Sequence, residues 1–211
     1  MDDFFARVMG RTHAWPAGRR DLHWHLLPSK EEAAALTGPY REVVSMPGLN
    51  LVPAQWVHIT VLHAGPQSQT SDVELEAIVG KVRAAATTVA PFELTLYPPT
   101  VGTVALECAG RPGAAGRRLW ELTAEATRKV MGERFTLIPA AYYPHASLAY
   151  AGPAGHLADR TALKVALSDV EAAPVTIQAH TLSLVSQWHD GKSQIVWENL
   201  ASVPLGGKSG R

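Results

Sequence analysis

Two short stretches of this sequence carry the same residue types in the same order. His58 to Pro66 reads H-I-T-V-L-H-A-G-P, and His145 to Pro153 reads H-A-S-L-A-Y-A-G-P. Each is a histidine, any residue, a hydroxyl residue, an aliphatic, any residue, a ring, and then Ala-Gly-Pro. On a strand, residues i and i+2 share a face, so His58 and Thr60 project together, as do His145 and Ser147. Imidazole is the side chain whose ordinary pKa lies near neutrality. Two imidazoles on opposite sides of a phosphodiester suit an in-line displacement. One removes the proton of the attacking oxygen and the other protonates the leaving oxygen. The two hydroxyls would donate to the non-bridging oxygens as charge redistributes. Such a site requires neither a metal nor a cofactor.

A lone H-x-T on a strand says little. Two copies inside matching blocks say more, and the surroundings repeat as well. After each block the pattern predicts a helix, then a strand opened by a proline (Pro91, Pro174), then a further strand. Leu22 to Leu27, bounded by Asp21 and Pro28, reads as a strand with His23 and His25 on one face and Leu22, Trp24 and Leu26 on the other. Ser29-x-x-Glu32 and Ser71-x-x-Glu74 are capping boxes. The first opens a helix towards Tyr40, and the second a helix ending near Thr88 with Val73, Ala77, Ile78 and Val82 on its apolar face. Strands are expected at Trp56 to Leu62, Phe92 to Leu96, Thr103 to Glu107, Tyr143 to Tyr150, Val175 to Ser186 and Gln194 to Val203. Helices are expected at Arg118 to Met131, stopped by Gly132, and at Leu157 to Leu167. The expected fold is α+β: two pseudo-symmetric lobes, each an antiparallel sheet with outer helices, around a central groove. It would form one bilobal domain over residues 1–205, with repeat halves at about 50–110 and 135–205 and a frayed tail at 206–211.

The His-x-Thr and His-x-Ser pair resembles the motifs of the 2H phosphoesterase superfamily, in particular its 2′-5′ RNA ligase and cyclic phosphodiesterase branch. Trp56-Val57-His58-Ile59-Thr60-Val61 is similar to that family's first motif strand, and Pro144-His145-Ala146-Ser147-Leu148-Ala149-Tyr150 to its second. His23-Trp24-His25 before a helix resembles its opening strand. The resemblance implies a bilobal fold with a central groove and metal-independent chemistry on a 2′,3′-cyclic phosphate or another 2′-linked phosphodiester of a nucleotide or RNA end. It implies His58 and His145 as the acid/base pair and Thr60 and Ser147 as the phosphate-binding hydroxyls. Joining of RNA ends by 2′-5′ ligation and binding of a nucleotide without turnover stand as alternatives. So does a metal hydrolase built on His23, His25 and His58.

Other residues are candidates for substrate contact. Tyr150 and His63 share one repeat position and could stack on a base. Tyr143, two residues before His145, should share its face, and His25 should line the groove. His189 reads as part of a surface turn. Cys108 is the one cysteine in 211 residues, so neither a disulfide framework nor a cysteine zinc site is available, and it reads as a packed strand residue. The 19 basic and 19 acidic residues balance to zero, which argues against long tracking along a nucleic-acid backbone. Gly191-Lys192-Ser193 and Gly207-Lys208-Ser209 lack the upstream glycine of a phosphate-binding loop. No apolar run suits a membrane span. A cytoplasmic monomer is the expectation.

Overall fold

The computed structural model describes residues 1–11 and 14–206. His13 and nearly all of the expected tail therefore lie outside the described residues. In chain order the elements are α1 (Phe4–Met9), β1 (Asp21–Leu26), α2 (Lys30–Thr37), α3 (Arg41–Val44), β2 (Leu49–Leu51), β3 (Ile59–Pro66), α4 (Asp72–Ala86), β4 (Phe92–Leu96), β5 (Thr100–Val101), β6 (Ala105–Arg111), α5 (Ala114–Met131), β7 (His145–Ala151), α6 (Arg160–Ser168), β8 (Val175–Ala179), β9 (Thr181–His189) and β10 (Ile195–Pro204).

The strands form two antiparallel sheets. One runs β10-β9-β1-β3; the other runs β2-β7-β6-β4-β8, with β5 paired to β6. Helices α4 and α5 pack on the first, while α2, α3 and α6 lie against the second. Each sheet draws on both repeat halves. β3, from the first half, lies in the sheet of β9 and β10, and β7, from the second, joins β4 and β6. The crossover is visible at His180. The single strand expected over Val175 to Ser186 is broken there into β8 and β9, which belong to different sheets.

Local chemistry sets most element ends. Both capping boxes form, with Ser29 and Ser71 accepting from Glu32 and Glu74 backbone N–H groups and the glutamates reaching back. Gly38-Pro39 stops the helix expected to reach Tyr40, since proline brings no N–H to the ladder; a 3-10 turn and the short α3 follow. The apolar face of α4 is Ile78, Val79, Val82 and Ala86, while Val73 is 77% exposed. The buried Ile78, Val79 and Val82 each contribute about 1.5–3 kcal/mol, against about 1 kcal/mol for a cap. Burial therefore sets how α4 is rotated, and the cap sets where it starts. The strand expected from Trp56 begins later: Ala54 to Trp56 form a 3-10 turn after Pro53, and β3 starts at Ile59.

The repeated Ala-Gly-Pro has a packing reason in both copies. A Cβ on Gly65, which sits at φ +101°, would lie 2.6 Å from the Phe135 ring. One on Gly152 would lie 2.2 Å from the Asn50 amide and 2.5 Å from the Lys192 carbonyl. Only glycine fits either place.

Candidate active site

β3 and β7 come from different sheets and approach each other, and the cavity between them, about 490 Å³, takes in His58, Thr60, His145 and Ser147 together. His63, Tyr143 and Tyr150 also line it. The two-residue alternation that puts each hydroxyl beside its histidine thus delivers both pairs to one space.

The same local device orients both histidines. His58 Nδ1 donates to the Trp56 carbonyl at 2.8 Å, and His145 Nδ1 donates to the Tyr143 carbonyl at 3.2 Å. A carbonyl can only accept, so Nδ1 must carry the hydrogen. In the neutral ring Nε2 is then the free acceptor, and in the charged ring it is a donor.

What stands behind the rings differs. Across the strand ladder Thr60 faces His25, and Ser147 faces Glu107. The His25 ring stacks on His58 with centroids 4.3 Å apart and planes 18° apart. Glu107 Oε1 lies 3.9 Å from His145 Nε2, and the Tyr143 ring stacks on His145 at 4.7 Å. His58 is buried and His145 half-buried. Burial lowers the His58 pKa to about 4; its hydrogen bond to Trp56 opposes this and the nearby His145 adds to it.

His25 does not line the cavity, contrary to expectation. It is fully buried behind His58, and neither ring nitrogen has a partner. The reason is what lies over its ring: His58 stacks on it and Trp197 stands edge-on at 6.4 Å, whereas His23 on the same strand reaches the cavity wall. Burial, with His58 and His23 beside it, drives its pKa well below the ordinary value. His23, also buried, stacks on His63 at 4.2 Å. His63 Nε2 donates to Asp21 Oδ2 at 2.6 Å, and Arg19 grips the same carboxylate with two bonds of 2.7 Å. Burial alone would raise the Asp21 pKa, but the bonds from His63 and Arg19 outweigh it and hold the carboxyl below its usual range. The four imidazoles thus form two stacked pairs, His23 on His63 and His25 on His58, with the His23 and His25 rings 5.7 Å apart and tilted by 50°. His63, His23 and His58 reach the cavity wall. Among the described residues no three His, Cys, Asp or Glu side chains converge as metal ligands.

Tyr150 is only 5% exposed, its ring covered by Phe4 at 4.4 Å, and burial pushes its phenol up to about 12. His189 is not on a surface turn. It is fully buried, donating from Nε2 to the Trp15 carbonyl at 2.8 Å and accepting the Gly191 N–H at Nδ1. Cys108 is buried in β6, and burial raises its thiol to about 12, which leaves it a packing residue.

Two groups of site residues are not marked by the sequence pattern. Glu107 carries no sign in the repeat, because its counterpart is a histidine on a strand outside it. The segment around α1 reads in sequence only as charged. Yet Asp3 caps it, and Phe4, Arg7 and Val8 on the helix, with Arg11 just past its Gly10 cap, all reach the cavity wall.

A family model described as the 2′-5′ RNA ligase superfamily matches residues 30–191. No curated protein matches by sequence. Among solved structures, TT0787 of Thermus thermophilus is 20% identical with a TM-score of 0.67, covering 89% of this chain and 99% of that one. E. coli LigT in apo form is 13% identical with a TM-score of 0.62 over 90% of this chain and 99% of its own. LigT complexed with 3′-AMP gives 13% and 0.65 over 89% and 98%. These likenesses show the fold.

Proposed function

Because the chain belongs to the 2′-5′ RNA ligase superfamily, a family of phosphoesterases, we propose that it hydrolyses a 2′,3′-cyclic phosphate, or a related 2′-linked phosphodiester, on a nucleotide or RNA end. The observation that carries this reading is the single cavity receiving both His/hydroxyl pairs. That LigT has been solved with 3′-AMP and with phosphate supports a substrate of this class.

The unequal surroundings support one division of roles. His58 is buried, stacked on a second neutral imidazole, and its pKa is lowered to about 4. At neutral pH it carries no proton on Nε2, so it acts as the base. It takes a proton from water as the water oxygen bonds to phosphorus. His145 has the Glu107 carboxylate 3.9 Å from Nε2, the counter-charge an imidazolium would face. It acts as the acid, giving its Nε2 proton to the ribose oxygen as the P–O bond breaks. The product is a ribose hydroxyl and a phosphomonoester. Thr60 Oγ1, with no partner among the described hydrogen bonds, and Ser147 Oγ hold the non-bridging oxygens.

A 5′-hydroxyl entering in place of water would give 2′-5′ joining through the same two proton transfers. The test is to incubate the protein with 2′,3′-cyclic nucleotides in EDTA beside His58→Ala and His145→Ala, and with RNA halves to look for joined product. Turnover by the parent chain that both substitutions abolish is expected. Turnover that survives both, or that appears only with a divalent metal, would sink the mechanism. Nucleotide binding with no product would leave a binding protein.

A further inference from the structure

The N-terminal segment lies before residue 30, where the family match begins, yet it builds one wall of the cavity. α1 is only six residues long, too short to hold itself helical in water. It is tied down from both sides. The Met1 ammonium donates to the Gly155 and Ala158 carbonyls at 2.8 and 3.1 Å, and Asp2 N–H donates to Thr103. Phe4 packs on Tyr150 of β7, and Phe5 reaches both Tyr150 and His189 of β9. Further on, Trp15 packs on His23 and His63. The segment therefore straps the β7 side of the groove to the β1/β3 side.

The strap brings charge with it. Arg7 and Arg11 line the cavity, and neither forms an ion pair among the described residues. Glu107 is the only carboxylate in the cavity wall among the described residues, and it stands against His145. One scissile diester carries one negative charge, already met by two hydroxyls and a protonated imidazole. Two more guanidinium groups exceed what it needs, and a guanidinium fork matches phosphate oxygens in pairs. The cavity volume, about 490 Å³, falls within the ~300–1,000 Å³ of small-molecule sites, so there is room beyond a single phosphate.

We propose that Arg7 and Arg11 form a subsite for a second phosphate of the substrate, distinct from the diester being cleaved. The proposal rests on the reading of the groove as a phosphodiester site. A terminal 5′-phosphate on a cyclic nucleotide and the next phosphodiester of an RNA end share this chemistry, and the experiment separates them.

Three substrates are compared: adenosine 2′,3′-cyclic phosphate, the same compound with a 5′-phosphate, and an adenylyl dinucleotide ending in the cyclic phosphate. The readout is kcat/KM for each doubly phosphorylated substrate relative to the simple one. The unmodified chain should prefer at least one of them by about tenfold, the scale of one charge-assisted contact. Rising salt should shrink that preference. The Arg7→Ala/Arg11→Ala double variant should bring the ratio close to one, and Arg7→Lys/Arg11→Lys should keep part of it. Both arginines are exposed, so the fold does not depend on them. A parent chain without preference, or a double variant that loses the same factor on all three substrates, overturns the subsite.

If nothing is turned over, the parent reading fails separately. Calorimetric titration with adenosine 3′,5′-bisphosphate and with 3′-AMP then decides the subsite. Tighter binding of the bisphosphate by the parent chain, lost in the double variant, supports it, and equal binding by the parent chain overturns it.

Discussion

The two halves of the groove present the same pair of residues against opposite backgrounds. Each histidine donates Nδ1 to the carbonyl two residues before it, and each has a hydroxyl two residues after it. Behind the first stands the buried ring of His25; beside the second stands the Glu107 carboxylate. Both neighbours occupy the same place in the ladder, opposite Thr60 and opposite Ser147. A duplicated motif supplies two equal imidazoles, and the strands next to it make them unequal. Acid/base catalysis needs one ring empty and one charged at the same pH. The cross-strand neighbour is the simplest place to write that difference.

The largest expected effect breaks the pair itself. His58→Ala and His145→Ala should each lower kcat on a cyclic nucleotide by about 10²–10⁴, the usual range for a lost acid or base. A substrate with a nitrophenolate leaving group sharpens the comparison, since that group departs without a proton. On an aryl phosphodiester, His145→Ala should recover most of its rate and His58→Ala should not. Recovery by His58→Ala instead would reverse the assignment. Next in size are the hydroxyls. Thr60→Val and Ser147→Ala should each lower kcat by about 10², the order found when one preorganised donor is removed. Steady-state kinetics on both variants would show whether the phosphate leans to one side; a KM effect with kcat intact would mean the hydroxyl binds the ground state alone.

The equal half of this comparison is legible in the sequence, and the unequal half is not. The repeat displays His58, Thr60, His145 and Ser147 because the same local alternation generates each pair. It also implies two sheets with helices outside. Glu107 and His25 act through pairing between strands far apart in sequence, and no local period records that. His25 reads as groove-lining because strand alternation says which residues share a face without saying whether that face is open. The His58 and Trp197 rings packed over it decide it. The strand division at His180 is hidden for a related reason. Val175 to Ser186 holds no proline or glycine to mark a break, and the exchange between sheets is set by the partners each segment finds. The strap leaves little more than the Asp3 cap as a sequence signal, because a six-residue helix owes its existence to its anchors on Tyr150, Gly155 and Ala158.

Smaller effects follow from the two backgrounds. Glu107→Gln removes the counter-charge from His145 while keeping its size. The pair is partly exposed, with side chains 29% and 31% accessible, so the loss should be at most about fivefold in kcat/KM, the scale of an exposed ion pair. No loss at all would remove Glu107 from the distinction between the halves.

His25→Phe acts on the other background, and its effect on turnover should be the smallest. The stacked aromatic face is kept and two unpartnered buried nitrogens disappear. Its larger signature is in stability against pH. His58 takes its proton near pH 4 in the folded chain and near 6.5 once unfolded. In that window the unfolded chain binds more protons, so stability rises with pH and falls as the solution is acidified. Burial shifts His23 and His25 the same way, each well below its ordinary value. The three together should make the folded state weaken steeply below about pH 6.5. Urea unfolding at a series of pH values reads the slope directly, and His25→Phe should reduce it by about one proton. An unchanged slope would mean that His25 does not stay neutral in the fold, and its burial would then add nothing to the loss of stability in acid.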